Sequence, residues 1–368
     1  MKILYCITRS DWGGAQVHLY DLVNSMIQKG IDCEVIVGEK GILYDRVQEL
    51  GVKVHYLPSL VHEINPLKDF KAIIEVYKLI RKINPDIVHL HSTKAGWIGR
   101  VSSFLARKKN IFTAHGWCFT EGVSSSRKIV GIRVEKILGK ITDKIICVSN
   151  YDKSLAINYN VIDHTKLEVV YNGVKNGEIS QVDEWLAKNE AVIKVIMVAR
   201  FSEPKDHMTV IKAISKLEDK FKLYFVGDGP TLLGAKNLVE QMDIKDRVTF
   251  LGHRDDIQKL LLSSDVFILS SKYEGLPISI IEAMRAGLPV IGSDVGGVSE
   301  LIDNGKNGFL FKAGDDRKLA EIIKILEDVQ LREQISTESR RCFQQKFTLD
   351  KCIAHTYSIY NEVIQNKE

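Results

Sequence analysis

The sequence predicts an α/β protein made of two doubly wound parallel sheets in tandem, and three observations carry that expectation. Short β-branched runs alternate with longer amphipathic stretches from end to end. The alternation restarts after a polar segment near the middle of the chain. The length of 368 residues exceeds an ordinary single domain and suits two. A 45% hydrophobic, 27% charged composition with seven prolines excludes intrinsic disorder and a disulfide-stapled mini-protein.

In the first half, KILYCIT, CEVIVG, VKVHYL, DIVHLH, NIFTA and KIICVS read as strands. Their nearly continuous apolar character fits strands covered on both faces. AQVHLYDLVNSMIQKG, PLKDFKAIIEVYKLIRKI and RKIVGIRVEKILGKI carry apolar residues at helical spacing, and the first ends at Gly30, a stop signal. The polar stretch from Lys175 to Glu190 places the boundary between about Asn172 and Ala191. VIKVIMVAR then opens a second series, with KLYFVG, VTFLG, VFILS, PVIGS and GFLF as further strands. The expected domains are therefore 1–173 and 174–346. The remaining stretch, 347–368, reads as an amphipathic helix with Ile353, Tyr357 and Tyr360 on one side, expected to pack back on the first domain. Two such domains would place the carboxyl ends of both sheets on either side of a cleft.

The net charge of +4 conceals an asymmetry, for residues 1–175 sum to +8 and the remainder to −4. Lys94 to Lys144 holds 11 bases against Glu121, Glu135 and Asp143, so the excess is local and suggests an anionic partner. Within it, SRKIVGIRVEKILGKITDK combines Ile129, Val130, Ile132, Val134, Ile137 and Leu138 with Arg127, Lys128, Arg133, Lys136 and Lys140. Much of that apolar content is expected to face the sheet. Six scattered cysteines form no Cys-x-x-Cys pair and read as reduced, buried thiols. The N-terminus lacks the apolar core of a signal peptide and no run spans a membrane, so a cytoplasmic location is expected.

Several short patterns could carry chemistry. Gly13 and Gly14 follow the first strand and open a helix, where amides and a positive dipole end suit an anion; a tight turn without ligand fits equally well. His115 ends the fifth strand beside Gly116, although a lone histidine there is more often structural. His91 shares that ambiguity, and His89 is expected on the opposite side of its strand. No His-x-x-x-His pair occurs, so no metal site is expected. Arg200 and Lys205 bracket the exit of the second domain's first strand, placed either to hold a diphosphate or as solvated surface cations. Glu274 and Glu282 straddle a loop-to-helix junction with Gly275 and Leu276 between them, where acids also serve as ordinary dipole complements. A second glycine pair, in SDVGGV, follows at the same sheet edge.

Taken with their order, the GGAQVH start, VARFSEPKDH, VGDGP, EGLPISIIEAMRAGLPVIGSDVGGVSELI and the FTLDKCIAHTYSIYNEV tail resemble the family-four retaining glycosyltransferases. HSTKAGWIGR and TAHGWCFTEG further resemble members that build bacterial capsular or extracellular polysaccharide. The resemblance implies a GT-B fold of two Rossmann-like domains, acceptor-binding then nucleotide-sugar-binding. It implies Glu282 on the ribose hydroxyls, Glu274 on the donor sugar, and Arg200 and Lys205 on the diphosphate. The amides of Gly14, Gly275 and Leu276 would assist them, with Gly227 near the base and His115 near the anomeric centre. Asp206 stands where many relatives have glycine. The implied donor is a nucleoside-diphosphate sugar, with no further cofactor and no metal. The implied acceptor is a polyprenyl-linked glycan, reached by peripheral docking on the anionic inner face of the cell membrane. An epimerase of the same fold is the alternative, and a nucleic-acid binder is disfavoured because aromatics are not interleaved through the basic stretch.

Overall fold

The structure, a computed structural model, describes residues 1–177 and 192–365. The polar stretch from Lys175 to Glu190 thus lies, from residue 178 onward, outside the described residues, as do the last three of the chain. The chain forms two compact units, Met1–Gly173 with Leu349–Glu368, and Val174–Thr348.

Unit 1 is a seven-stranded parallel sheet: β1 (Lys2–Ile7), β2 (Asp32–Val37), β3 (Lys53–Tyr56), β4 (Ile87–His91), β5 (Lys109–Ala114), β6 (Lys144–Cys147) and β7 (Leu167–Val169). Their order is β3-β2-β1-β4-β5-β6-β7, with Ile3 in register with Cys33 on one side and Ile87 on the other. The order reverses between β1 and β4, which is where open α/β sheets bind ligands. Alternate residues of β1 feed two cores. Ile3, Tyr5 and Ile7 pack with α1 (Gly14–Gln28) and α14 (Leu349–Gln365), whereas Leu4 and Cys6 pack with α3 (Pro66–Ile83) and α4 (Thr93–Leu105).

Local signals set these boundaries. Pro66 opens α3, the Asn65 side chain accepts from the Lys68 amide at 3.1 Å, and Asn84 closes the helix with φ 52° before Pro85. α14 buries Cys352, Ile353, Thr356, Ile359, Tyr360 and Val363, so the C-terminal helix crosses back to the first unit. The thiols of Cys6, Cys33, Cys147 and Cys352 are buried; Cys118 and Cys342 are only half-buried, a correction to the expectation of six buried thiols.

Unit 2 is a six-stranded parallel sheet: β8 (Ile193–Val198), β9 (Phe221–Val226), β10 (Val248–Phe250), β11 (Val266–Leu269), β12 (Val290–Ser293) and β13 (Gly308–Phe311). The order β10-β9-β8-β11-β12-β13 places its reversal between β8 and β11. After β8 comes α7 (His207–Ile214), and after β11 comes α10 (Ile278–Arg285). The doubly wound fold expected from the sequence is thus present in both units.

Candidate active site

The more elaborate of the two switch points is that of unit 2. The chain leaves β8 through exposed Arg200 and turns through FSEPK, and the Asp206 side chain caps α7 by accepting from the Thr209 amide at 3.2 Å. Two backbone bonds strap this turn to the exit of β11: Asp206 N donates to Ser270 O and Lys272 N to Pro204 O, both at 2.9 Å. Lys205 therefore lies antiparallel to Ser271. From there its Nζ donates to Glu274 Oε1, and Ser271 Oγ donates to the same oxygen at 2.5 Å. The side chains of Lys205 and Glu274 are 18% and 11% exposed, so the ion pair is sheltered yet reachable by an anion.

Glu274 is held from behind by the second glycine pair. A Cβ at Gly296, whose φ is 55°, would fall 1.9 Å from the Glu274 carbonyl oxygen, and Gly297 N donates to Gly275 O at 3.0 Å. Only glycine permits that approach. Gly275 and Leu276 lead directly into α10, with Pro277 at its cap and half-buried Glu282 on its second turn. Gly227, at φ 136°, closes over the exit of β8, where a Cβ would fall 2.2 Å from Ala199 O.

In unit 1, Gly13 caps α1 in an extended conformation, and Gly14 begins the helix. His18 lies one turn further on, His91 ends β4 and His115 follows β5. These three converge, with one ring nitrogen from each lying within 4.8 Å of the others, and His91 Nδ1 is 3.0 Å from His115 Nε2. His89 is on the same face as His91, ring centroids 4.3 Å apart, which corrects the expectation of opposite faces. Successive strand residues alternate, so positions two apart share a side. His89 spends both nitrogens on neighbours: Nδ1 pairs with Tyr360 Oη at 2.6 Å and Nε2 with Thr113 Oγ1 at 2.7 Å.

Burial dominates the protonation of this cluster. It pushes His18 down to about 4 and holds His89, His91 and His115 well below 6.5, with the neighbouring imidazoles adding to the effect. All four are neutral at pH 7. In unit 2 the structure joins Lys205 to Glu274, two residues the sequence placed in separate motifs, and adds Ser271. In unit 1 it gives His115 two partners, His18 and His91, that the sequence reading did not connect. Their separations along the chain leave no local signal beyond the position of His18 within GGAQVH.

The basic stretch is not the uniform patch expected. Lys94, Arg100 and Lys144 are buried and paired, with Asp69, with Glu135 at 2.8 Å, and with Glu362 at 2.8 Å. The apolar content of α5 (Ser125–Gly139) does not mainly face the sheet either: Ile129, Val130 and Ile137 are 52%, 50% and 65% exposed. The helix docks instead through two glycines, Leu138 and one acid. Gly131 sits against Cys118 and Gly139 against the Val161 carbonyl, while Glu135 receives Arg100 and the Trp97 indole N–H at 2.8 Å.

Two parallel α/β units, each with its own switch point, make up the GT-B architecture. Residues 12–176 match the family described as Glycosyltransferase Family 4, and residues 180–341 match Glycosyl transferases group 1. The chain is 31% identical over 353 residues to an Escherichia coli UDP-Gal:alpha-D-GlcNAc-diphosphoundecaprenol alpha-1,3-galactosyltransferase, covering 91% of this chain and 90% of the relative. It is likewise 31% identical to the Escherichia coli O-antigen biosynthesis glycosyltransferase WbnH, covering 90% and 92%. Among solved structures, HepE of Anabaena in complex with UDP and glucose superposes with a TM-score of 0.86 at 21% identity, covering 98% of this chain and 99% of that one. The chain belongs to this glycosyltransferase family and has its fold.

Proposed function

We propose that the protein transfers a hexosyl group, with retention of anomeric configuration and no requirement for a bound metal, from a nucleoside-diphosphate sugar to a lipid-linked glycan in bacterial surface polysaccharide synthesis. Uridine is the favoured base, because the Escherichia coli relative is named for a UDP sugar and a diphosphoundecaprenol acceptor, and the Anabaena structure holds UDP. The observation that carries the reading is the Lys205, Ser271 and Glu274 arrangement at the exits of β8 and β11.

Rupture of the anomeric C–O bond leaves positive charge on the sugar and negative charge on the departing diphosphate. Arg200 and Lys205, with the amides of Gly14, Gly275 and Leu276, stabilise the oxygens that take the electron pair. Glu282 accepts from the ribose hydroxyls, Glu274 from the sugar, Gly13 and Gly227 let the donor approach the backbone, and His115 faces the anomeric centre. The acceptor hydroxyl attacks the face the diphosphate leaves, and its proton passes to a diphosphate oxygen. A covalent role for Glu274 is disfavoured, since two donors already engage one of its oxygens.

A panel of nucleoside diphosphates tests the donor assignment by thermal shift, because ligand at 100 times its dissociation constant stabilises by about 2.7 kcal/mol. Lys205→Ala, Arg200→Ala and Glu282→Ala should each lower transfer several-fold to a few hundred-fold, about 1.5 to 3 kcal/mol per charge-assisted contact. Near-normal transfer by the Lys205 and Glu282 variants would remove the assignment.

The same proposal places unit 1 on an anionic membrane surface. On α5, Ile129 and Ile137 lie among exposed Arg133, Lys136 and Lys140. On α3, on the same side of the sheet, Leu67 and Phe70 are 86% and 68% exposed among Lys71, Lys78 and Arg81. Apolar side chains mixed with cations suit insertion at anionic headgroups, where each nearby base contributes roughly 1 kcal/mol. No helix among the described residues is long and apolar enough to cross a membrane. Binding to anionic vesicles should be salt-sensitive, and changing Arg127, Lys128, Arg133 and Lys136 together to Glu should weaken it without altering nucleotide affinity. Equal binding by both forms would sink the docking surface.

A further inference from the structure

We propose that His18, His91 and His115 form a trihistidine site for a late first-row divalent cation such as Zn2+, and that filling it withdraws His115 from catalysis. The first half stands on geometry alone; the second rests on the catalytic reading of His115 above.

Three elements, α1, β4 and the turn after β5, deliver one ring nitrogen each to a region no wider than 4.8 Å between ligand atoms. Tetrahedral coordination with bonds of about 2.0 to 2.1 Å spaces its ligand nitrogens by roughly 3.4 Å. His91 Nδ1 and His115 Nε2 already stand 3.0 Å apart. Side-chain adjustment of His18 and modest spreading of that pair complete the set. Imidazole binds metal in its neutral form, and burial keeps these rings neutral, so no net proton is released at pH 7; the proton shared by His91 Nδ1 and His115 Nε2 moves to the far nitrogen of its ring.

The other nitrogen of the His91 ring, Nε2, is fully buried and has no hydrogen-bond partner, so it can carry the ring proton while Nδ1 turns its lone pair to the cation. His89, locked by Tyr360 and Thr113, lies against the His91 ring and limits its movement. His89 has no nitrogen to spare and is not a ligand. His115 is only half-buried, which gives a cation a way in, whereas His18 and His91 are buried.

Donor chemistry sets the selectivity. Three nitrogens without a carboxylate favour zinc, cobalt, nickel and copper over magnesium, calcium and manganese. Three protein ligands leave a fourth position for water or an anionic oxygen. A metal bound there occupies a nitrogen of His115 and fixes its ring, so the cation inhibits transfer instead of assisting it.

The test uses the untagged full-length chain after chelator treatment. Titration with Co2+ should give the visible absorption of a tetrahedral nitrogen site, saturating at one equivalent and displaced by Zn2+, while Mg2+ has no effect. His18→Ala and His91→Ala should each weaken binding by more than the 10- to 100-fold that losing an outer partner costs. Retained nucleoside-diphosphate binding and circular dichroism show that these variants fold. Zinc should inhibit the wild type, and inhibition of His18→Ala, relative to its own metal-free rate, should need at least about tenfold more. Absence of Co2+ and Zn2+ binding, or binding by the two variants as tight as that of the wild type, overturns the site. One equivalent of bound zinc with undiminished transfer overturns the inhibitory half and removes His115 from the reaction. Loss of transfer in the donor-site variants of unit 2 remains a separate readout of the functional reading.

Discussion

At the end of β4 in unit 1 and at the end of β11 in unit 2, the chain leaves a parallel sheet beside its switch point, yet the side chains delivered there differ in kind. Unit 1 gathers imidazoles that burial keeps neutral, walled by Tyr5, Tyr360 and Thr113. Unit 2 gathers a cation and a carboxylate that stay partly solvated and satisfy one another. A buried, uncharged cluster can respond to small changes of charge near it but cannot hold a dianion. A sheltered but still accessible pair can exchange its internal counter-ion for a ligand phosphate. The comparison teaches that one topology supports two electrostatic designs, set by how deep the strand-end loops lie.

The largest expected effect tests the neutral design. His18 has a folded pKa of about 4 against an ordinary 6.5, so below pH 6.5 the unfolded chain binds protons that the folded chain refuses. Stability is therefore unaffected above that range and falls as pH drops from about 6.5 toward 4. His18 alone should cost about 2 kcal/mol by pH 5. His89, His91 and His115 shift in the same direction, whereas in unit 2 His207, stacked on Phe201, is the corresponding buried imidazole. Peptide-resolved hydrogen exchange at pH 7.5 and pH 5 should show unit 1 losing more protection than unit 2, and His18→Gln should flatten the loss. An unchanged pH response in His18→Gln would break the comparison on the unit 1 side.

Much of this fold was legible in the sequence because its strands are short, apolar and buried on both faces, and because Asn65-Pro66 and Asn84-Pro85 bracket α3 with cap chemistry. The orientation of α5 was not. Hydrophobic pattern assigns its isoleucines to the interior, but the buried side is built from Gly131, Leu138, Gly139 and Glu135, whose charge is answered by Arg100 from another helix. At the site, Lys205 and Glu274 were legible as a turn and a helix start, while their contact with Ser271 depends on two backbone bonds between distant loops. The shared face of His89 and His91 follows from the period of a strand. The convergence of His18 on His91 and His115 is a tertiary fact with no short pattern behind it.

A smaller effect sharpens the charged design. Glu274→Gln removes the counter-ion that Lys205 holds, so nucleoside-diphosphate affinity should rise a few-fold as the cation becomes available, about 1 kcal/mol for a sheltered charge partner, while transfer falls. The check is titration calorimetry beside a steady-state assay. Weaker nucleotide binding with unchanged transfer would mean that the pair positions the loop and does nothing else.

The division of labour between the units is tested most directly by measuring nucleoside-diphosphate affinity and turnover together in Lys205→Ala and His115→Ala. The account predicts that Lys205→Ala loses both, and that His115→Ala keeps its affinity within about twofold while kcat falls, since uniform binding and stabilisation of the transition state separate in this way. Equal loss of nucleotide affinity in the two variants, or full affinity in Lys205→Ala, would contradict it.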